Sequence, residues 1–292
     1  MIVVTAPTSA IGRQVVDNLL KAGAHVRVIA RDPSRLGADV RERVEIVEGS
    51  HGDAATVERA FAGAEAVFWL LPPDPRAPSL EASFLDFTRP ACAAFVSQGV
   101  KRVVGVSALG RGVPGHAGQV SGSLAMDDMI AATGVAYRAL LMPSFMDNVL
   151  RHAAMIRDQG LFVGPIDADL KLPTVATRDI AAVATRLLLD PSWEGNAGVP
   201  VLGPEDLSFN DMAKILSDVL GKPVAYRTIA GDAFKARLLS FGTSEAMAQA
   251  TLDMMVAKNT GLDTAAPRTA EGTTPTSFRQ WAEEVLKPAI AG

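Results

Sequence analysis

The chain is poor in the residues that mark several large protein classes. Across 292 residues it has one cysteine, Cys92, so no intrachain disulfide can form, and no Cys/His cluster has metal-ligand spacing. A reducing cytoplasm is the expected setting. There is no basic stripe: 28 Lys and Arg are interspersed with 32 Asp and Glu, giving a formal charge of -4, which argues against a nucleic-acid partner. No apolar run approaches the roughly 18 residues of a membrane helix, and the opening MIVVTAP lacks the charged start and long apolar stretch of a signal peptide. Tyrosine is scarce as well, with only Tyr137 and Tyr226.

What is present is apolar material, 48% of the residues, ample for a large buried core. Its patterning alternates between two periods. Strand-like runs at 2–5, HVRVIAR at 25–31, VEIV at 44–47, AVFWLL at 66–71, RVVGVSA at 102–108 and YRALLM at 137–142 are separated by helical patterns up to Gly23, at 54–62, 79–98 and 123–132. Strands alternating with helices build right-handed crossovers and a parallel sheet covered on both faces, a doubly wound α/β fold. After about residue 146 the alternation fades: a helix at 178–190, a last strand at 199–202, helices at 208–220, 230–241, 244–258 and 276–287, and a polar surface loop at 263–275. We therefore expect a nucleotide-binding domain at 1–150, with late sheet and helix segments near 174–202, and a smaller, interleaved, mostly helical domain at 151–292.

Ligands of such sheets bind at the C-terminal strand ends. After the first strand the chain reads TAPTSAIG at 5–12. A dinucleotide loop needs a tight turn, close backbone approach to the pyrophosphate and a helix N-terminus for the charge, usually met by three glycines. Here only Gly12 is retained, with Ala6 and Ser9 at the other two places and Thr8, Ala10 and Ile11 completing the loop. The alternative is an ordinary turn capped by Thr8 or Ser9. The second strand ends on Arg31, where an NAD site commonly has an acid and an NADP site an arginine, so NADPH is expected over NADH, with Ser34 and Arg35 as helpers. Ser50, Leu71 and Pro72 stand at the next strand ends. No metal site is expected.

These stretches, in order, resemble the NmrA-like family, an atypical branch of the short-chain dehydrogenases: the 5–12 loop, VIARDPSRL at 28–36, FAGAEAV at 61–67, SALG at 107–110, TGVAYR at 133–138, PSFMDN at 143–148 and TRDIA at 177–181. The resemblance covers residues 1 to about 190. It implies a Rossmann domain with an NADPH cleft and a small C-terminal domain, and either a reductase of quinones, dyes or enals or a protein that senses the nucleotide without turning it over.

The usual Tyr-x-x-x-Lys pair is missing, because the residues four places after the tyrosines are Leu141 and Ala230 and the helix reads SGSLAMDD at 121–128. Candidate catalytic groups are then Ser107, which could also touch the cofactor, and His116 in a glycine-rich segment at 110–122. Each has a plain structural alternative, a turn cap and a solvated loop histidine. By resemblance Met142, Phe145 and Asn148 line the substrate pocket, while Trp69 and Asp179 are expected to be structural. The expectation is an NADPH-dependent reductase of a small, electron-poor acceptor; the rival is a non-catalytic NADP(H) sensor.

Overall fold

The computed structural model describes residues 1–264 and 268–291. Its strands, in chain order, are β1 (Ile2–Val4), β2 (Val26–Ala30), β3 (Glu45–Glu48), β4 (Ala66–Trp69), β5 (Arg102–Ala108), β6 (Ala136–Met142), β7 (Ser144–Phe145), β8 (Leu161–Gly164), β9 (Leu172–Val175), β10 (Asn196–Pro200), β11 (Asp206–Leu207) and β12 (Ala225–Thr228). Seven of them form one sheet in the order β10-β6-β5-β4-β1-β2-β3. Pairings β2–β3, β1–β2, β1–β4 and β4–β5 are parallel, as the alternating pattern requires. The expected doubly wound parallel sheet is therefore present. Its central strands are continuous apolar runs, Ile2 to Val4 and Ala66 to Trp69 being buried on both faces.

The chain divides into two compact units. The first comprises Met1–Ala108, Gly122–Leu141 and Ile180–Val199; the second comprises Leu109–Ser121, Met142–Asp179 and Pro200–Gly292.

In the first unit α1 (Ala10–Lys21) starts at the cap Ser9 and turns Ile11, Val15, Val16, Leu19 and Leu20 into the core, a 3.6-residue stripe. Helix α2 (Ala38–Arg41) is one turn, and α3 (Ala54–Phe61) is capped by Asp53. Helix α4 (Phe87–Ser97) is preceded by a π-helical stretch at Glu81–Asp86 and contains Pro90. Proline has no N–H for the carbonyl four residues back and its ring crowds that carbonyl, which accounts for the widened turn just upstream. The core on this side is aromatic: Trp69, Phe61 and Phe95 are fully buried, with Phe61 stacked on Phe95 at 5.1 Å.

Helix α5 (Gln119–Ala131) begins before the expected residue 123. Gly122, which reads as loop in the sequence, lies inside this helix, where the missing side chain makes room for Phe84: a Cβ there would lie 2.7 Å from the ring. The last strand also shifts, to Asn196–Pro200 from the expected 199–202. Val201 and Leu202 are buried outside any strand, whereas Asn196 and Ala197 are exposed on the sheet edge and Gly198 leaves room for Leu141.

The second unit is less purely helical than expected. Short pairs β8–β12 and the set β11-β9-β7 accompany α6 (Ala153–Gln159), α7 (Thr177–Leu189, shared with the first unit), α8 (Phe209–Leu220), α9 (Gly231–Ser240), α10 (Glu245–Asn259), α11 (Phe278–Trp281) and α12 (Lys287–Ala291). Part of the loop expected at 263–275 lies outside the described residues, and the rest is not wholly on the surface: Asp263 and Thr274 are buried. Asp179 is structural, its carboxylate accepting hydrogen bonds from the Thr276 N–H at 3.0 Å and the Thr276 hydroxyl at 2.8 Å.

Candidate active site

Strand order places the candidates of the first unit side by side: Ser107 lies at the C-terminal end of β5, and Leu71, the loop after β1, Arg31 and Ser50 follow the C-terminal ends of the adjacent strands β4, β1, β2 and β3. Thr5 fastens the centre of this row, its hydroxyl donating toward the carbonyls of Phe68 and Leu70 and accepting from the Leu70 N–H at 2.8 Å.

The loop itself is wound tightly. Ala6 has φ +47°, the left-handed conformation that glycine adopts freely and that costs an L-residue roughly 1 to 2 kcal/mol. Ser9 holds it there. Its N–H and hydroxyl both donate to the Ala6 carbonyl, at 3.0 and 2.8 Å, and its oxygen accepts from the Gly12 N–H at 3.0 Å. Gly12 is closed in from the same side, since a Cβ would lie 2.9 Å from both the Ala6 carbonyl carbon and Ser9 Oγ. Ser9 is thus the helix cap, with its hydroxyl engaged inside the loop. The N–H groups of Ala10 and Ile11 belong to the first helical turn and have no acceptor within the helix, and Thr8 and Ala10 are exposed. A tight turn, an enforced glycine and an exposed helix N-terminus are what a pyrophosphate requires, so the loop fits a dinucleotide without the usual three glycines.

Arg31 is exposed and has no ion-pair partner among the described residues. Its neighbour Asp32 turns away and caps the short 3-10 turn Pro33–Arg35, accepting from the Ser34 hydroxyl at 2.6 Å and the Ser34 N–H at 3.0 Å, which holds its carboxyl below the usual range. Arg35 is exposed beside it. Two exposed arginines, Arg31 and Arg35, therefore follow the second strand, where an NADP site commonly carries an arginine. Ser50 accepts from the Gly52 N–H at 3.2 Å. Leu71 is buried in the core and Pro72 is exposed.

His51 stands at the same edge and was not singled out from the sequence. Its ring meets Trp69 and Phe87 edge-on, at 5.3 and 4.8 Å, and its buried Nε2 has no hydrogen-bond partner. Burial, with the Arg31 charge second, lowers its pKa to about 4, so it is uncharged at neutral pH.

At the end of β5 Ser107 is buried and its hydroxyl donates to Asp127 on α5. The other carboxylate oxygen of Asp127 accepts from the Tyr137 hydroxyl at 2.7 Å. All three side chains are buried. Tyr137 reaches across β5 because residue 105 is glycine: a Cβ there would lie 2.7 Å from Tyr137 Cε2 and closer still to its hydroxyl. The helix without Tyr and Lys thus carries a carboxylate clamped by two hydroxyls. Asp127 and Tyr137 went unrecognised in the sequence, although a glycine inside an apolar strand marks a close approach.

The remaining candidates belong to the second unit. His116 is exposed, its Nδ1 accepting from the Gly118 N–H at 3.3 Å and lying 3.8 Å from Asp253. Met142 is buried, and Phe145 in β7 and Asn148 in the 3-10 turn Met146–His152 are half-buried. Among the described residues no cluster of His, Cys, Asp and Glu could hold a metal ion, and no helix is long and apolar enough to cross a membrane.

Residues 8–191 match the model of a family described as NAD(P)H-binding. The chain is 33% identical over 97% of its length, and 97% of the relative's, to (4-alkanoyl-5-oxo-2,5-dihydrofuran-3-yl)methyl phosphate reductase of Streptomyces griseus. It is 30% identical to the NAD(P)H azoreductase of Xenophilus azovorans, covering 86% of this chain and 84% of that one. Among solved structures, triphenylmethane reductase of Citrobacter sp. complexed with NADP(H) superposes with a TM-score of 0.80, covering 99% and 100% of the two chains at 19% identity.

Proposed function

Because the chain belongs to the NAD(P)H-binding family, we propose that it is an NADPH-dependent reductase of small, electron-poor acceptors such as quinones, dyes or conjugated carbonyls. The observation that carries the cofactor choice is Arg31, exposed and without an ion-pair partner one strand away from the phosphate loop. Two relatives of high coverage are named as reductases, one of an unsaturated furanone phosphate and one of azo compounds, both acceptors with electron-poor double bonds.

The Ala6 to Gly12 loop and the first turn of α1 would hold the pyrophosphate, with Arg31 and Arg35 on the 2′-phosphate and Ser34 and Ser50 nearby. When bound, NADPH supplies hydride. The protein's part is to orient the acceptor and exclude water, because an electron-poor acceptor takes hydride with little proton donation in the transition state, which suits a helix without Tyr and Lys. Met142, Phe145 and Asn148 are proposed to line the acceptor pocket.

The test is NADPH oxidation with a panel of quinones, azo and triphenylmethane dyes and enals, run beside NADH. Turnover well above the enzyme-free rate with NADPH preferred is expected. Tight NADPH binding with no turnover on any acceptor would refute the reductase.

A further inference from the structure

A serine hydroxyl carries one proton and two acceptor lone pairs. In Ser107 that proton points inward to the Asp127 carboxylate, a charge-assisted bond of the stronger kind. Asp127 is held from its other side by Tyr137 at 2.7 Å, and Tyr137 is seated over Gly105, so the carboxylate is fixed in the orientation that takes the Ser107 proton. Ser107 Oγ accepts no hydrogen bond among the described residues, yet it stands at a C-terminal strand end in the row that the loop and Arg31 share. What this serine offers to a ligand is lone pairs.

We propose that Ser107 acts as a hydrogen-bond acceptor that reads an N–H or O–H group of the bound ligand, and that Asp127 is the positioning residue that sets this polarity. The inference rests on the reductase reading for the ligands concerned. Two sources carry such a donor, the carboxamide NH2 of the nicotinamide and a hydroxyl on the acceptor. The opposite polarity, with Ser107 donating to an acceptor's carbonyl, would require it to give up the Asp127 bond. Recognition by a buried acceptor is selective because a ligand lacking the donor leaves the serine oxygen desolvated and unpaired.

The experiment measures dissociation constants by calorimetry for wild type, Ser107→Ala and Asp127→Asn, with two probe pairs. One pair is NADP+ and its 3-acetylpyridine analogue, in which a methyl group replaces the carboxamide NH2. The other is a hydroxymethyl-substituted quinone and its methyl ether, measured with NADP+ bound. Wild type is expected to prefer the donor-bearing member of one pair by about threefold to tenfold, and the responding pair identifies the source. Ser107→Ala should abolish the preference. Asp127→Asn can donate its amide N–H to Ser107 and release the serine proton outward, so the preference should vanish or invert; a purely structural role would weaken both members equally. A wild type that discriminates in neither pair, or a preference that survives Ser107→Ala, overturns the inference. If Asp127→Asn does not fold, the Ser107→Ala arm still decides. Absence of NADPH turnover with discrimination intact refutes the reductase and leaves the polarity standing, whereas failure of NADP+ to bind overturns the reading on which both depend.

Discussion

Gly105→Ala probes the clamp most directly. A methyl group at this position would lie 2.7 Å from Tyr137 Cε2, 2.9 Å from Cζ and closer still to the hydroxyl, so either the ring or the strand must move. If the strand gives way, the cost is that of an overpacked core, about 1 to 3 kcal/mol. If Tyr137 swings out, its hydrogen bond to Asp127 is lost as well, and a bond to a charged partner adds roughly 1.5 to 3 kcal/mol. We expect the ring to move, because β5 is tied along its length by parallel pairing to β4, whereas a side chain can change rotamer without disturbing the sheet. The total is then about 2.5 to 6 kcal/mol. Tyr137→Phe loses the bond without the clash and should cost about 1.5 to 3 kcal/mol. The double variant separates the two effects, since once the hydroxyl is gone Gly105→Ala can no longer break its bond. Equilibrium urea unfolding of the wild type, both single variants and the double variant gives the four free energies. A coupling of roughly 1 kcal/mol or more is expected. Strict additivity, or Gly105→Ala within about 0.5 kcal/mol of wild type, would refute the argument that this glycine exists to seat Tyr137.

Three further outcomes follow from the same row of strand ends. Arg31→Ala should remove most of a roughly tenfold to hundredfold preference for NADPH over NADH, read as a ratio of dissociation constants; equal constants in the wild type would sink the cofactor assignment. Ser9→Ala deletes a helix cap and both side-chain bonds that hold Ala6 and Gly12, so the apo protein should lose about 1 to 2 kcal/mol and NADPH should bind more weakly, whereas an unchanged urea midpoint would contradict the role of this hydroxyl. His51 has its pKa lowered to about 4 in the fold, below its unfolded value, so the unfolded chain takes up the proton first. Stability should therefore be intact above pH 6.5 or so and fall as the pH drops toward 4, by about 2 kcal/mol near pH 5. The drop should be smaller by that amount in His51→Phe, and an identical pH dependence in the variant would refute it.

The sheet was legible because its strands are short apolar runs bounded by glycine and helical stripes, and both periods survive in the sequence. The loop, Arg31 and Ser107 could be found for a related reason: a strand end is a predictable place once the strand is recognised. Asp127 and Tyr137 could not, because their partnership depends on which residues of α5 and β6 meet across β5, and nothing in either segment states that pairing. His51 carries no motif of its own in the sequence, and only the packing of its ring against Trp69 and Phe87 gives it character. The second unit was the least legible part. Strands such as Leu161–Gly164 and Ala225–Thr228 are four residues long and show little periodicity, so they pass for loop between helices.

The same reasoning resolves the weakness of the loop motif. Counting glycines in TAPTSAIG leaves one of three, yet the backbone at Ala6 is left-handed all the same. Ala is the smallest residue that can be forced there, and Ser9, which replaces a second glycine, supplies the bonds that force it by pinning the Ala6 carbonyl from its own N–H and hydroxyl. The third position allows no substitute, because its Cβ would enter the space of that pinned carbonyl and of Ser9 Oγ. Ala6 and Ser9 are thus one coupled exchange: the strain introduced by the first is offset by the hydrogen bonds of the second. The loop keeps its tight turn and its open helix N-terminus while the glycine count falls. A motif of this kind is a set of backbone requirements, and side chains that meet the requirements together can stand in for the glycines that usually meet them singly.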